Sequence, residues 1–155
     1  MLLSFLTLIL SFSLMEFVAW FTHRYIMHGF LWFLHKDHHT YENKNFIQKN
    51  DFFFLIFALP GAFLTIKGAL EYFNLFFWIG LGITLYGLTY FLIHEIYIHQ
   101  RFKWIKKINH RYFIAIRRAH KDHHKHIYKY PGENFGLLIV PFKYFKESKI
   151  KRYDG

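Results

Sequence analysis

Apolar residues fall into three long runs along the chain, and polar stretches rich in histidine, lysine and arginine follow the first and the third. Residues 1–22 are apolar but for Ser4, Thr7, Ser11, Ser13, Glu16 and the final Thr22. Residues 52–68 are apolar as far as Ile66, with Pro60 in the middle, and residues 72–93 carry Gly80, Gly82 and Gly87 inside a third run. At 1.5 Å per helical residue the third run can cross a hydrocarbon layer of roughly 30 Å. The second is marginal, must borrow flanking residues or enter at a discontinuity, and carries a proline expected to kink it. Gly68-Ala69-Leu70-Glu71 reads as the short turn of a helical hairpin. The first run has no basic leading segment, and no small-residue cleavage site separates it from His23. That predicts a retained helix rather than a signal peptide. The pattern predicts an all-α integral membrane protein, a single domain over 1–155, with three transmembrane helices, or four if a further segment crosses.

Charge sets the expected orientation. The net charge is +10 at pH 7 with histidines neutral, and nineteen of the twenty Lys and Arg residues lie in 23–51 and 94–155, with Lys67 opposite. Three crossings put those two stretches on one side, and the positive-inside rule makes that side the cytoplasm of a multi-pass inner-membrane protein. Such a surplus also raises nucleic acid as a partner. No binding module accompanies it, and the anionic face of a bilayer draws the same charges, so no nucleic acid partner is expected. The apolar stretch 135–142 is too short to span and is expected to cap the cytoplasmic part rather than re-enter the bilayer. The chain has no cysteine. This excludes in-chain iron–sulfur clusters, haem-thiolate sites and thiol nucleophiles, so electrons for any redox chemistry must come from outside.

Ten of the twelve histidines change the picture most. His23, His28, His35, His38 and His39 form one set, and His94, His99, His120, His123 and His124 form another. Each is an H-x4-H pair followed by H-x2-H-H, and His-Lys-Asp-His-His occurs at 35–39 and again at 120–124. On a helix the H-x2-H-H residues can converge on one side. The H-x4-H residues sit about 140° apart on an ideal α-helix, so they need a local distortion, a break, or two different metals to serve. Two metal ions with roughly four or five ligands each would use the imidazoles these sets supply, and imidazole suits Fe, Zn, Ni and Cu. Glu16, Asp37, Glu95 and Asp122 are candidates to offset the charge of such a site and to orient imidazole N–H groups. Glu16 lies seven residues before His23, roughly on the same helix face, and an intramembrane carboxylate marks function by default, although helix packing near the headgroups also accounts for it. His110 and His126 stand outside the repeated spacing and read as ordinary surface or core residues.

The run His23-Arg24-Tyr25-Ile26-Met27-His28-Gly29, then His35-Lys36-Asp37-His38-His39, resembles the bacterial beta-carotene hydroxylases of the fatty-acid hydroxylase and sterol desaturase superfamily. The resemblance continues through Lys49-Asn50-Asp51-Phe52, Phe57-Ala58-Leu59-Pro60 and His94-Glu95-Ile96-Tyr97-Ile98-His99-Gln100-Arg101. It ends with His120-Lys121-Asp122-His123-His124 and Glu133-Asn134-Phe135-Gly136, and so covers about 14–142. It implies a non-haem di-iron monooxygenase whose ligands map onto all ten histidines. It also implies O₂ as cosubstrate, a reduced ferredoxin or similar donor, and hydroxylation of beta-ionone rings at C3, from beta-carotene through beta-cryptoxanthin to zeaxanthin. The carotenoid would enter from the lipid past Phe12, Phe17, Trp20, Phe21, Trp32, Tyr90 and Phe91, which plain helix packing explains nearly as well. Arg101, Lys103, Lys106, Lys107, Arg111, Arg117 and Arg118 would meet an acidic ferredoxin, anionic lipid, or both.

Two other readings share parts of this pattern. A fatty acyl or sterol hydroxylase or desaturase would keep the metal site and change the pocket. A membrane metal-binding or transport protein would place polar groups along the crossings. The second run has only Thr65 as a polar side chain, and the third only Asn74, two threonines and three tyrosines, which favours chemistry at the membrane face.

Overall fold

The computed structural model describes residues 1–40, 47–105, 108–130 and 132–146. Lys106 and Lys107 of the expected docking patch lie outside the described residues. Every regular element among the described residues is helical. Helix α1 (Leu2–Phe21) runs into a π-helical segment (Thr22–Phe30), and α2 (Trp32–His39) follows. Helices α3 (Asp51–Leu70) and α4 (Leu75–Tyr90) come next, with α4 continuing into a second π-helical segment (Phe91–Ile98). Helix α5 (Arg111–His124) and a 3₁₀ turn (Phe142–Phe145) complete the order. Three stretches are long and apolar enough to cross a membrane, Leu2–Phe30, Asp51–Leu70 and Leu75–Ile98, as the hydropathy pattern predicts. The marginal second run succeeds by borrowing Asp51 at one end and Gly68 to Leu70 at the other, and it stays helical through Pro60.

Helix α4 lies between α1 and α3, and its glycines set how close they come. A Cβ on Gly80 would collide with the Thr65 backbone, one on Gly82 would lie 2.8 Å from the Leu8 carbonyl, and one on Gly68 would strike the Phe77 backbone. In lipid, where apolar surface gives no drive to associate, such close backbone approach is what holds helices together. Gly68 is therefore a packing residue, and the hairpin turn lies beyond it. Tyr72 and Phe73 adopt positive φ, and Asn74 caps α4 by accepting the Phe76 N–H at 3.0 Å. The turn expected at 68–71 is displaced because the only residue there without a side chain is needed against α4.

The stretch 135–142 covers the polar part of the protein as expected, with Phe135 facing His28 at 5.1 Å and the Leu138 carbonyl accepting the Tyr112 hydroxyl at 2.7 Å, and it also reaches into the membrane half. It lies against α1, where Glu16 Oε1 accepts the backbone N–H groups of Leu137, Leu138 and Ile139 at 2.9, 2.8 and 3.1 Å. Its other oxygen takes the Tyr86 hydroxyl at 2.7 Å. Glu16 is seven residues, or about 10 Å of helix, up the span from His23. Non-helical backbone at that depth needs its donors satisfied from within the protein, and one buried carboxylate satisfies three. Leu137 closes an apolar cluster with Ile93, Tyr97, Ile98 and Ile116, which joins α4 to α5.

Replacing Glu16 by leucine strands four donors, those of Tyr86 and Leu137 buried and those of Leu138 and Ile139 partly so, at roughly 1–3 kcal/mol for each buried one. Glu16→Leu is expected to lose most folded protein in detergent, and Glu16→Gln, which keeps an acceptor oxygen, much less; thermal unfolding followed by size-exclusion chromatography checks the order.

Candidate metal centre

Both H-x4-H pairs lie where a membrane-spanning helix passes into π-helical geometry. The i→i+5 bond from the Leu31 N–H to the Ile26 carbonyl, 3.0 Å, marks the first segment, and that from the His99 N–H to the His94 carbonyl, 2.9 Å, the second. Such bonding stacks residue i+5 on residue i and is frequent at functional sites. It resolves the angle that an α-helix would leave between the paired histidines: His23 and His28 come together, and so do His94 and His99.

The H-x2-H-H boxes behave differently from the expected convergence on one side. His35 and His39, one helical turn apart, join His23 and His28, whereas His38 turns to His94, His99 and His120. His123 makes the reverse crossing, joining His23, His28, His35 and His39. Neighbouring helical residues point about 100° apart, which lets α2 and α5 each serve two groups. Within each group the ring nitrogens lie within 4.8 Å of one another. The tenth histidine, His124, sits between the groups. Its ring lies 4.5 Å from those of His39 and His120 and 4.7 Å from that of His38. Its Nε2 is buried and has no hydrogen-bond partner among the described residues.

Seven of the rings spend Nδ1–H on an oxygen. His23 donates to the Phe135 carbonyl (2.9 Å), His28 to Lys129 (3.2 Å), His39 to His126 (3.0 Å) and His123 to Glu133 (2.6 Å). His35 donates to Asn50 Oδ1 (2.6 Å), His38 to Gln48 Oε1 (3.0 Å) and His94 to Glu95 Oε1 (2.6 Å). A neutral ring that donates from Nδ1 carries a lone pair on Nε2. These lone pairs face one another: His23 and His35 at 3.1 Å, His35 and His39 at 3.0 Å, His28 and His123 at 3.3 Å, His38 and His94 at 3.3 Å. Only a cation between them relieves the repulsion. A proton is a poor candidate, because burial disfavours the charged ring. Burial, reinforced by neighbouring histidines, holds His35, His99 and His120 well below the usual imidazole range and pushes His39 down to about 2. His123 is lowered to about 3, again by burial. Two ring nitrogens bound to one ion at about 2.1 Å, with angles of about 90–110°, would lie about 3.0–3.4 Å apart. The residues present fit a metal ion in each group.

The orienting oxygens are mostly main-chain carbonyls from 126–135, which residue identity does not reveal, together with Asn50 and Gln48. Of the expected carboxylates, Glu95 meets His94. Glu16 holds the segment that carries Phe135, and Asp37 accepts the Lys49 N–H at 2.7 Å beside Gln48 and Asn50. Asp122 pairs with Lys125 and Tyr144 on the outer side of α5. His110 caps α5 through the Tyr112 N–H, and His126 serves through its carbonyl. Trp32 packs on His28 at 4.9 Å, Tyr90 on His94 at 4.8 Å, and Phe135, which the sequence did not single out, on His28 at 5.1 Å. Phe17 and Phe21 are exposed on α1, while Phe12 lies edge-on to Tyr86.

The sequence profile of the fatty acid hydroxylase family matches residues 8–145. The chain belongs to the fatty acid hydroxylase family. Within this enzyme family its relatives include a beta-carotene hydroxylase of Pseudescherichia vulneris, 44% identical over 80% of this chain and 69% of that protein. A beta-carotene hydroxylase of Paracoccus sp. (strain PC1) is 36% identical over 88% of this chain and 84% of that protein. A chloroplastic beta-carotene 3-hydroxylase of an Oncidium hybrid cultivar is 36% identical over 81% of this chain and 41% of its own length. No solved structure matches the chain.

The crossing of the two boxes generates a prediction. His38→Ala should lower metal content chiefly at the group of His94, and His123→Ala at that of His23, each abolishing turnover while membrane insertion persists. Metal analysis of detergent-purified protein checks this, and full metal content in either variant would remove the assigned role.

Proposed function

We propose that the protein is a beta-carotene 3-hydroxylase, a single membrane-embedded domain over 1–155 that takes its carotenoid from the lipid. It converts beta-carotene through beta-cryptoxanthin to zeaxanthin. One oxygen atom of O₂ enters the C3–H bond and the other leaves as water, with two electrons and two protons supplied from outside. The observation that carries the reading is the pair of adjoining histidine groups at the ends of apolar spans, in a chain related to proteins named beta-carotene hydroxylases at 36–44% identity. All ten histidines of the two sets are the proposed ligands, with His124 beside the second group. Two iron ions held there would supply the reduction and activation of O₂.

The chain's own residues supply the remainder. The Nδ1 acceptors lock seven of the ten rings so that Nε2 points inward, and burial of His28, His35, His39, His94 and His123 keeps bulk water from the groups. Trp32, Tyr90 and Phe135 form an aromatic border suited to an ionone ring, which must be oriented because the oxidant itself discriminates little. The basic stretches, through the positive-inside rule, support a site on the cytoplasmic face of the inner membrane. A reduced ferredoxin is the proposed donor, and two adjoining hollows suit an acidic protein, one lined by Arg117, Arg118 and Lys121, the other by Arg118, Lys121, Lys125, Lys143 and Lys146 with Asp122 among them. Arg101 is engaged by Asp51 and Glu95 and does not belong to that surface.

Pigment analysis of beta-carotene-producing bacteria that express the chain with ferredoxin and oxygen tests the reading. Mono- and di-3-hydroxylated carotenoids are expected. Unchanged beta-carotene, with the protein inserted and iron-loaded, would overturn it in favour of a fatty acyl or sterol substrate. With purified components, raising ionic strength from about 0.01 to 0.15 M shortens the screening length from about 30 to 8 Å. The KM for ferredoxin should rise several-fold over that range, measured by product formation.

A further inference from the structure

A closed circuit of contacts runs through the pair His38 and His94. His38 Nδ1–H donates to Gln48 Oε1 at 3.0 Å, and the Gln48 backbone N–H donates to Asp51 Oδ2 at 3.0 Å. Arg101 Nη1 holds both oxygens of Asp51 at 2.9 and 3.0 Å. On its other side Arg101 Nε makes an ion pair with Glu95 Oε2 at 2.9 Å, and Glu95 Oε1 accepts the His94 Nδ1–H at 2.6 Å. The circuit closes where His94 Nε2 faces His38 Nε2 at 3.3 Å. The Arg101 backbone N–H also reaches the Glu95 carbonyl at 2.9 Å, so main chain and side chain of one residue grip the end of the second π-helical segment.

We infer that Arg101 is a positioning residue for the second histidine group: it fixes the two acceptors, Gln48 and Glu95, that aim His38 and His94 at a shared metal ion. The inference rests on the proposed function only in taking that group to be a metal site. The guanidinium suits the role because its planar fork serves two carboxylates from different elements at once, which a single ammonium does not. Asp51 begins α3, Glu95 ends the α4 span, and Gln48 precedes α3, so without Arg101 nothing in the circuit ties those segments together. The circuit also leaves one net negative charge beside a site whose ligands are neutral. Among the described residues the first group has no equivalent. Its Nδ1 acceptors are the neutral carbonyls of Lys129, Phe135, His126 and Glu133 and the Asn50 amide.

The two groups should therefore differ in their dependence on Arg101. Loss of a partner that orients a metal-binding histidine typically costs 10–100-fold in metal affinity. The test is a cobalt(II) titration of the full chain in detergent, read by bound metal per chain and by the visible d–d absorption of the ion. Wild type is expected to bind two ions. Arg101→Gln should keep the first with unchanged affinity and bind the second about 10–100-fold more weakly, with an altered d–d spectrum for that ion alone. Retention of the first ion serves as the control for folding. Arg101→Lys should restore the second ion only in part. Asp51→Asn keeps an acceptor for Gln48 and removes the ion pair. It should weaken the second ion too, and add little when combined with Arg101→Gln, as members of one network do. Should Arg101→Gln fail to fold, Asp51→Asn alone carries the test. Unchanged binding of both ions in the variants, or equal weakening of both, would overturn the inference. Fewer than two ions in wild type would instead overturn the two-metal reading, and the inference with it.

Discussion

The whole arrangement depends on neutral imidazoles held with their lone pairs toward one another in a region from which water and protons are driven out. Four facing pairs at 3.0–3.3 Å are unfavourable as they stand. Each ring of those pairs is fixed from behind by an oxygen. What those pairs lack is positive charge, and the size of the gaps matches the coordination distances of a first-row ion. Three features of the polar half serve that stand-off: the π-helical turns that stack paired histidines, the helices that divide their histidines between two groups, and the carbonyls of His126, Lys129, Glu133 and Phe135.

The membrane half is simpler and its logic is steric. Three apolar helices in a row bring backbone against backbone through Gly68, Gly80 and Gly82. Glu16 joins the two halves. A single carboxylate fixes the Tyr86 hydroxyl of the central helix and three peptide N–H groups of a segment that would otherwise have no place beside lipid.

Much of this is legible in the sequence, for identifiable reasons. Apolar run length gives the three spans, and the repeated spacing of ten histidines gives the residues that assemble. The turn at 71–74 is less visible, because Gly68 looks like a turn residue and Asn74, which caps α4, carries the weaker signal. The π-helical segments could be inferred only as a need for some distortion. The exchange of His38 and His123 between groups depends on how α2 and α5 are placed, which spacing alone leaves open. Carbonyl acceptors such as those of Lys129 and Glu133 leave no trace in residue identity at all. Arg101 shows the opposite error: a cation in a basic stretch suggests a surface charge, yet it is taken up by Asp51 and Glu95.

The exchange of the two middle histidines also bears on how the molecule is made. The group built around His23 is not complete without His123, and the group built around His94 includes His38 from the opposite end of the chain. A ribosome that has released only the first box, with its helix already inserted, has produced neither group in full. Neither group is complete until α5 has emerged and docked, so a metal ion would meet its full set of imidazoles only late in biogenesis.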